Sequence, residues 1–198
     1  MKARLGQMVD IQIGYQVTGR VVPRPGDTHL LVQTGDVSEN GEINWANLSS
    51  FTPERRGTER YTLMDGDVLF LAKGAKRVAA VVRNPLPKAI AVSTFYLLRR
   101  RYDPAILPEY LAWFLNKAAW RDIASRELKG TTMVFVSKTA LAGLEIEVPS
   151  PARQRQIAAL DALVRREKAL AVNLLEKRAR LVHATARRAV MHGEDEQR

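Results

Sequence analysis

At 198 residues, 46% of them hydrophobic, the chain is long enough for one domain with a real core plus an appended element, which excludes a disordered chain. Lys and Arg number 31 against 21 Asp and Glu, a formal charge of +10 that makes nucleic acid the first candidate partner, although a basic surface that binds nothing stays open on charge alone. The absence of cysteine excludes a disulfide frame or a thiolate zinc site, and no segment reads as a signal peptide or approaches the roughly 18 to 20 apolar residues of a membrane span, so a soluble cytoplasmic protein is expected.

From Val9 to about Leu98, short runs of β-favouring residues alternate with turns. Leu30 to Gln33, Asp67 to Ala72, Val78 to Val82 and Ile90 to Leu98 are bounded by Gly35-Asp36, Asp65-Gly66, Lys73-Gly74 and Asn84-Pro85, which predicts an irregular, mostly antiparallel sheet with long loops. The pattern changes after Tyr102-Asp103-Pro104. Pro108 opens a predicted helix, where its missing N–H costs nothing, and Tyr110, Leu111, Phe114 and Leu115 follow at helical spacing. A second helical piece around Trp120 to Leu128 stops at Lys129-Gly130. A strand-like run Met133 to Val136 comes next, and Leu144 to Val148 then alternates apolar with acidic residues before Pro149-Ser150-Pro151.

These prolines mark the expected domain boundary. From Ala152 to about Met191 there is no Gly or Pro, and Ile157, Leu160, Leu163, Val164, Leu170, Leu174, Leu175, Leu181 and Val182 recur at threes and fours, so one helix of roughly 40 residues, about 60 Å long, is the simplest reading. That exceeds what a small domain covers, and the apolar stripe therefore calls for a partner helix. Arg178, Glu167 and several alanines interrupt a strict heptad, which favours a short antiparallel pairing. The expected organisation is a domain over 1–148, a long helix over 149–192 and a solvated tail over 193–198.

Catalytic signatures are sparse. His29, His183 and His192 show no metal-ligand spacing, and the 12 glycines form neither a dinucleotide fingerprint nor a Walker loop, so no metal and no cofactor is expected. Asn84-Pro85-Leu86-Pro87 lacks the aromatic residue that would hold a flipped base, and reads as a turn. Asp65, Asp67, Glu145 and Glu147 precede no lysine at nuclease-like spacing and read as a turn and the solvent face of a strand.

Basic and polar side chains on loops remain. Arg20 and Arg24 sit in a Gly- and Pro-rich connection, Lys73, Lys76 and Arg77 follow a predicted strand, Arg99 to Arg101 form a run, and Lys129 and Lys138 bracket Gly130-Thr131-Thr132. Loops on a rigid scaffold are where reading residues usually sit. Arg and Lys donate to guanine edges or phosphates, Gln33 and Asn116 have the geometry to pair with adenine, and Thr131 or Thr132 reaches bases or backbone. For each residue alone a solvated-surface role is the simpler one, and the case is collective.

Taken in order, the segments resemble the specificity subunits of type I restriction-modification systems over nearly the whole chain. The matching pieces are Leu5-Gly6, Val32 to Val37 with Asn40 to Ile43, Asp65 to Phe70 with Lys73-Gly74, Leu107 to Asn116, Gly130 to Thr132 with Val136 to Lys138, and above all Leu144 to Pro149 leading to Gln154-Arg155-Gln156-Ile157-Ala158. The resemblance implies an α+β target-recognition domain, with a β-rich lobe and a small helical lobe, that reads one half-site of double-stranded DNA in the major groove and catalyses nothing itself. It also implies a methyltransferase partner that uses S-adenosylmethionine and, through it, an ATP-driven restriction subunit. Members of that family usually carry two recognition domains and two spacer helices that pair antiparallel, whereas this sequence holds one of each. The expectation is therefore that two copies pair, or that the chain pairs with another half-subunit, through Ile157, Leu160, Val164, Leu170, Leu174 and Leu181. Two rival readings stay open. One is an adaptor or decoy that docks on a methyltransferase without reading DNA, and the other, disfavoured by the missing pockets, is an enzyme acting alone.

Overall fold

The computed structural model describes residues 2–54, 57–74, 78–101, 106–117 and 134–193. Strands β1 (Lys2–Arg4) and β2 (Val9–Ile13) flank the single-turn helix α1 (Leu5–Met8). Strands β3 (His29–Val32), β4 (Ser49–Phe51), β5 (Val68–Leu71), β6 (Lys73–Gly74), β7 (Ala79–Val81), β8 (Ala89–Ala91) and β9 (Phe95–Arg100) follow. The chain then passes through helix α2 (Pro108–Lys117), β10 (Val134–Phe135), α3 (Lys138–Ala142) and β11 (Glu145–Glu147) into α4 (Pro151–Gly193). Mixed sheets and helices followed by one long helix make this an α+β fold, as the family resemblance implies.

The central sheet has the order β2-β9-β5-β7, all antiparallel. Strand β5 is buried at every position, because both faces of the sheet are covered. That is why Val68-Leu69-Phe70-Leu71 reads as a continuous apolar run without alternation. Side-chain alternation sends Val68, Phe70, Tyr96 and Leu98 into one core with α2, Leu5 and Leu141, and sends Leu69, Leu71, Phe95 and Leu97 into a second. Beyond the second core lies a smaller sheet, β4-β3-β8, in which β3 pairs antiparallel with β4 and parallel with β8. Leu31 and Ile90 on its far side join Tyr15 and Phe51 in a third core.

The predicted run Ile90 to Leu98 is in fact two strands in two sheets, broken by a turn at Ser93-Thr94. Composition alone hides the break, since Ser and Thr suit strands and turns alike. Gly14 allows the crossing from the central sheet to the smaller one. The next residue, Tyr15, donates its N–H to Ala91 O at 2.7 Å, and a Cβ on Gly14 would lie 2.4 Å from the Val92 carbonyl oxygen. Short elements without periodicity, namely β1, α1, β4 and α3, escaped the sequence reading, and Lys73-Gly74, expected as a turn, is the strand β6. The predicted helix Trp120 to Leu128 and its stop at Lys129-Gly130 lie outside the described residues.

The first and last strands of the domain pair with each other, Lys2 to Arg4 against Glu147 to Glu145, and Leu5 N–H closes the ladder onto Leu144 O at 2.8 Å. Gln154, fully buried, accepts from Leu107 N–H at 2.8 Å and donates to Pro149 O at 2.9 Å. Contacts divide the chain into two compact units, Met1–Ala158 and Ala159–Arg198, so the division falls inside α4. The physical reason is that Gln154 and Ile157 belong to the packing of the first unit.

Gly14→Ala is expected to lower the urea unfolding midpoint by the equivalent of at least ~2 kcal/mol with an unchanged m-value, because the backbone oxygens it meets cannot rotate away. An unaltered midpoint would show that the two sheets do not approach so closely.

Candidate nucleic-acid interface

The smaller sheet carries an aromatic cluster at the end of the domain that bears the first basic loop. Tyr15 meets Tyr61 edge-on at 5.4 Å between ring centroids and Phe51 at 5.7 Å, and His29 lies 6.2 Å from Phe51. Such tilted pairs contribute about 0.5–1.5 kcal/mol each beyond burial and leave a stiff floor. Cationic side chains surround it. Arg60 lies over the Tyr61 ring at 4.8 Å, and Arg20 and Arg24 line a cavity of about 280 Å³ together with Phe51. Lys88 lies close enough for its charge to act on His29: burial first, then Lys88, push the His29 pKa below 6.5. Lys88 also holds φ at +55°, a left-handed conformation that non-glycine residues seldom adopt.

Arg20 and Arg24 are thus brought to one place. Arg60 and Lys88 join them there, and sequence reasoning missed both, because they are separated from Arg24 by tens of residues and only strand pairing unites them. Lys73 is exposed on β6 opposite Phe135, and Lys138 is the exposed first residue of α3, whose N-cap Ser137 accepts from Ala140 N–H. These two belong to a separate group, on the β6-β10 ladder and just beyond it. Lys76, Arg77, Lys129, Thr131 and Thr132 lie outside the described residues.

Several polar candidates are engaged in folding. Asn116 is not free to pair with a base: its carbonyl accepts from Ala79 N–H at 2.8 Å and its amide donates to Ala79 O at 2.9 Å, so the side chain caps the β7 backbone. Gln33 is half-buried and donates to Ser49 Oγ at 3.1 Å, a bond that ties β3 to the start of β4. Arg99 forks onto buried Asp67 at 2.9 and 2.7 Å and donates to Thr62 O, while Arg101 pairs with Asp10 at 2.9 Å. Of the Arg99 to Arg101 run, only Arg100 makes no such bond among the described residues.

The Asp65-Gly66-Asp67 segment is a turn with Gly66 at φ +86°. Asp65 accepts from Asn84 N–H and from Arg83, which also pairs with Glu109, and Asp67 accepts from Met64 N–H. Their acceptor sites are spent on folding. Among the described residues no group of His, Cys, Asp and Glu is disposed to hold a metal, and no helix is long and apolar enough to cross a membrane.

In the second unit, Leu160, Leu163, Val164, Leu170, Leu174 and Leu181 are 50 to 67% exposed, an uncovered apolar stripe. Ile157, counted with them from the sequence, packs instead against the core of the first unit.

The depressed His29 pKa gives a sign that can be checked. The unfolded chain binds the proton more readily, so this contribution to stability is complete above pH 6.5 and is lost as the pH falls below it. The His29 ring resonances are expected to titrate with a midpoint below 6.5, and Lys88→Ala should move that midpoint only part of the way back, since burial is the larger cause. A midpoint above 6.5 would show that burial and Lys88 together do not outweigh the opposing charge of Glu59.

No family model and no curated protein matches the sequence. Solved structures do match. The HsdS subunit from Thermoanaerobacter tengcongensis superposes with a TM-score of 0.60 at 19% identity, covering 86% of this chain and 38% of that one. The type I restriction-modification S subunit from M. genitalium gives 0.53 at 17% identity, covering 86% and 40%. A chain from a study of complex assembly and conformational transition in a type I restriction-modification system gives 0.61 at 18%, covering 86% and 39%. The chain thus spans about two fifths of the length of these three structures, and its fold is that of part of the S subunits of type I restriction-modification systems.

Proposed function

We propose that this chain is a specificity subunit of a type I restriction-modification complex, and that its first unit reads one half-site of a bipartite target in double-stranded DNA. The observation that carries the reading is a fold shared over 86% of the chain with two S subunits and a further type I system chain, joined to a charge of +10. The reading elements are the basic loops: the Arg20 and Arg24 connection on the aromatic floor, Lys73 and Lys138 on the second element group, and Lys76, Arg77, Lys129, Thr131 and Thr132 beside them in sequence. The chain catalyses nothing and holds no cofactor of its own. A methyltransferase subunit that uses S-adenosylmethionine and an ATP-driven restriction subunit supply the chemistry.

The second unit supports a pairing role. Six large apolar side chains at helical spacing stand in water, and burying each contributes roughly 1.5–3 kcal/mol, enough for a specific helix pair. The partner helix comes from a second copy of the chain, antiparallel, or from another half-subunit. A symmetric pair would read an inverted repeat with a gap.

Selection from a random duplex library is expected to enrich one short motif, with affinity for it falling steeply as salt rises. Changing Lys129 or Thr132 should alter the motif or abolish selective binding, whereas Arg166→Ala should do neither. Weak, motif-free binding by the wild type would favour a docking adaptor over a reader. Separately, size-exclusion chromatography with light scattering should give a dimer at micromolar concentration that Leu163→Glu with Leu174→Glu converts to a monomer. A strict monomer for the unaltered chain would refute self-pairing.

A further inference from the structure

The connection between β2 and β3 carries two arginines and is held more firmly than a surface loop requires. Asp27 accepts from Arg24 N–H at 2.7 Å, from the Thr52 hydroxyl at 3.0 Å and from the Ser50 hydroxyl at 3.2 Å. Its own N–H returns to Arg24 O at 3.2 Å, around Pro25 and Gly26 with Gly26 at φ +88°, which fits a type II turn with proline and glycine at the positions that turn demands. One carboxylate thus closes the turn on itself and ties it to β4 and the residue after it. The Arg24 backbone N–H is the main influence holding the Asp27 pKa below its usual value, so the clamp stays ionised at neutral pH.

The arginines themselves are left over. Among the described residues neither the Arg20 nor the Arg24 guanidinium donates a hydrogen bond to the protein, and both are exposed on the rim of the same cavity of about 280 Å³, with Phe51 and Val21 in its lining. Arg99 shows the alternative, a guanidinium fully engaged by its carboxylate. At Asp27 the carboxylate engages backbone and hydroxyl donors, which fixes the loop. The Arg24 charge acts on it only through space, as the smallest of its influences, and the Arg24 guanidinium keeps its donors on a rim that it shares with Arg20, Asp27 and Glu54. A loop ordered in advance need not be ordered on binding.

We propose that Asp27 is a positioning residue for DNA reading: by locking the Arg24 to Asp27 turn onto β4, it presents Arg24, beside Arg20 on the same rim, as a preorganised donor to paired acceptors on DNA. A phosphate and the O6/N7 edge of guanine offer that same chemistry. The inference rests on the DNA-reading function proposed above.

The test uses the full chain with Arg24→Gln, Asp27→Ala and the double variant, each titrated by fluorescence anisotropy against the duplex that the wild type selects and against a scrambled duplex, over a salt series. Each single change is expected to weaken binding to the selected duplex about tenfold, and the double should be no weaker than Arg24→Gln alone, because Asp27 acts through Arg24. If the acceptor is a phosphate, the loss is equal on both duplexes and the salt slope falls by about one. If it is a guanine edge, the loss is confined to the selected duplex and one guanine position becomes degenerate. Multiplying losses in the double variant, or wild-type affinity in Asp27→Ala, would overturn the proposal. Should Asp27→Ala fail to fold, Ser50→Ala with Thr52→Val removes the two tethers alone, and wild-type affinity in that variant would overturn it equally. A wild type that selects no motif refutes the reading itself, an outcome distinct from a motif that survives the loss of Asp27.

Discussion

A glutamine at the first turn of the long helix ties that helix to the start of α2, far away in sequence, beside the ladder that pairs the first and last strands of the domain. Buried Gln154 takes the Leu107 N–H just ahead of α2 and gives its amide to the Pro149 carbonyl, while one strand earlier Glu145 to Glu147 pair with Lys2 to Arg4. Each of these groups is polar and lies in or beside the first core, where a lost partner costs about 1–3 kcal/mol. Satisfying them together closes the domain on itself. The closure holds Leu5, Ile146 and Val148 in the core that α2 and the central sheet complete.

From that closure the layering follows. The first core is capped by short helices and the second lies between two sheets, so β5 is enclosed on both sides and the loops are driven to the far side of the smaller sheet. There the buried faces run out, and aromatic residues finish the apolar surface: Tyr15, Phe51 and Tyr61 are large enough to close a thin third core, and the connection that carries Arg20 and Arg24 lies beside them. A rigid floor under short, cross-linked loops suits recognition of a stiff polyanion, since little order has to be created when the ligand arrives.

Charge in this chain serves two purposes that composition cannot separate. Arg83, Arg99 and Arg101 answer Asp65, Glu109, Asp67 and Asp10 and are part of the fold. Arg20, Arg24 and Lys138 form no ion pair among the described residues and are exposed, although the Arg24 charge acts on Asp27 from a distance. A net charge of +10 gives the sum of the two groups, and it is the second on which the proposed reading role rests.

The sequence by itself determined the features set by local physics: the Pro108 helix, the strand runs around Leu31 and Leu69, the proline break at 149–151 and the long helix with its bare stripe. Helical period, proline and glycine chemistry and the twofold alternation of strands all act within a few residues, so they are legible along the chain. Tertiary structure decided what depends on distant neighbours. It split Ile90 to Leu98 between two sheets, turned Asn116 from a candidate reader into a cap on Ala79, took Ile157 out of the stripe and into the core, and set Arg60 and Lys88 around the aromatic floor of Arg20 and Arg24. A side chain's availability depends on whether a partner more than ten residues away has already claimed it, and strand register and packing alone settle that.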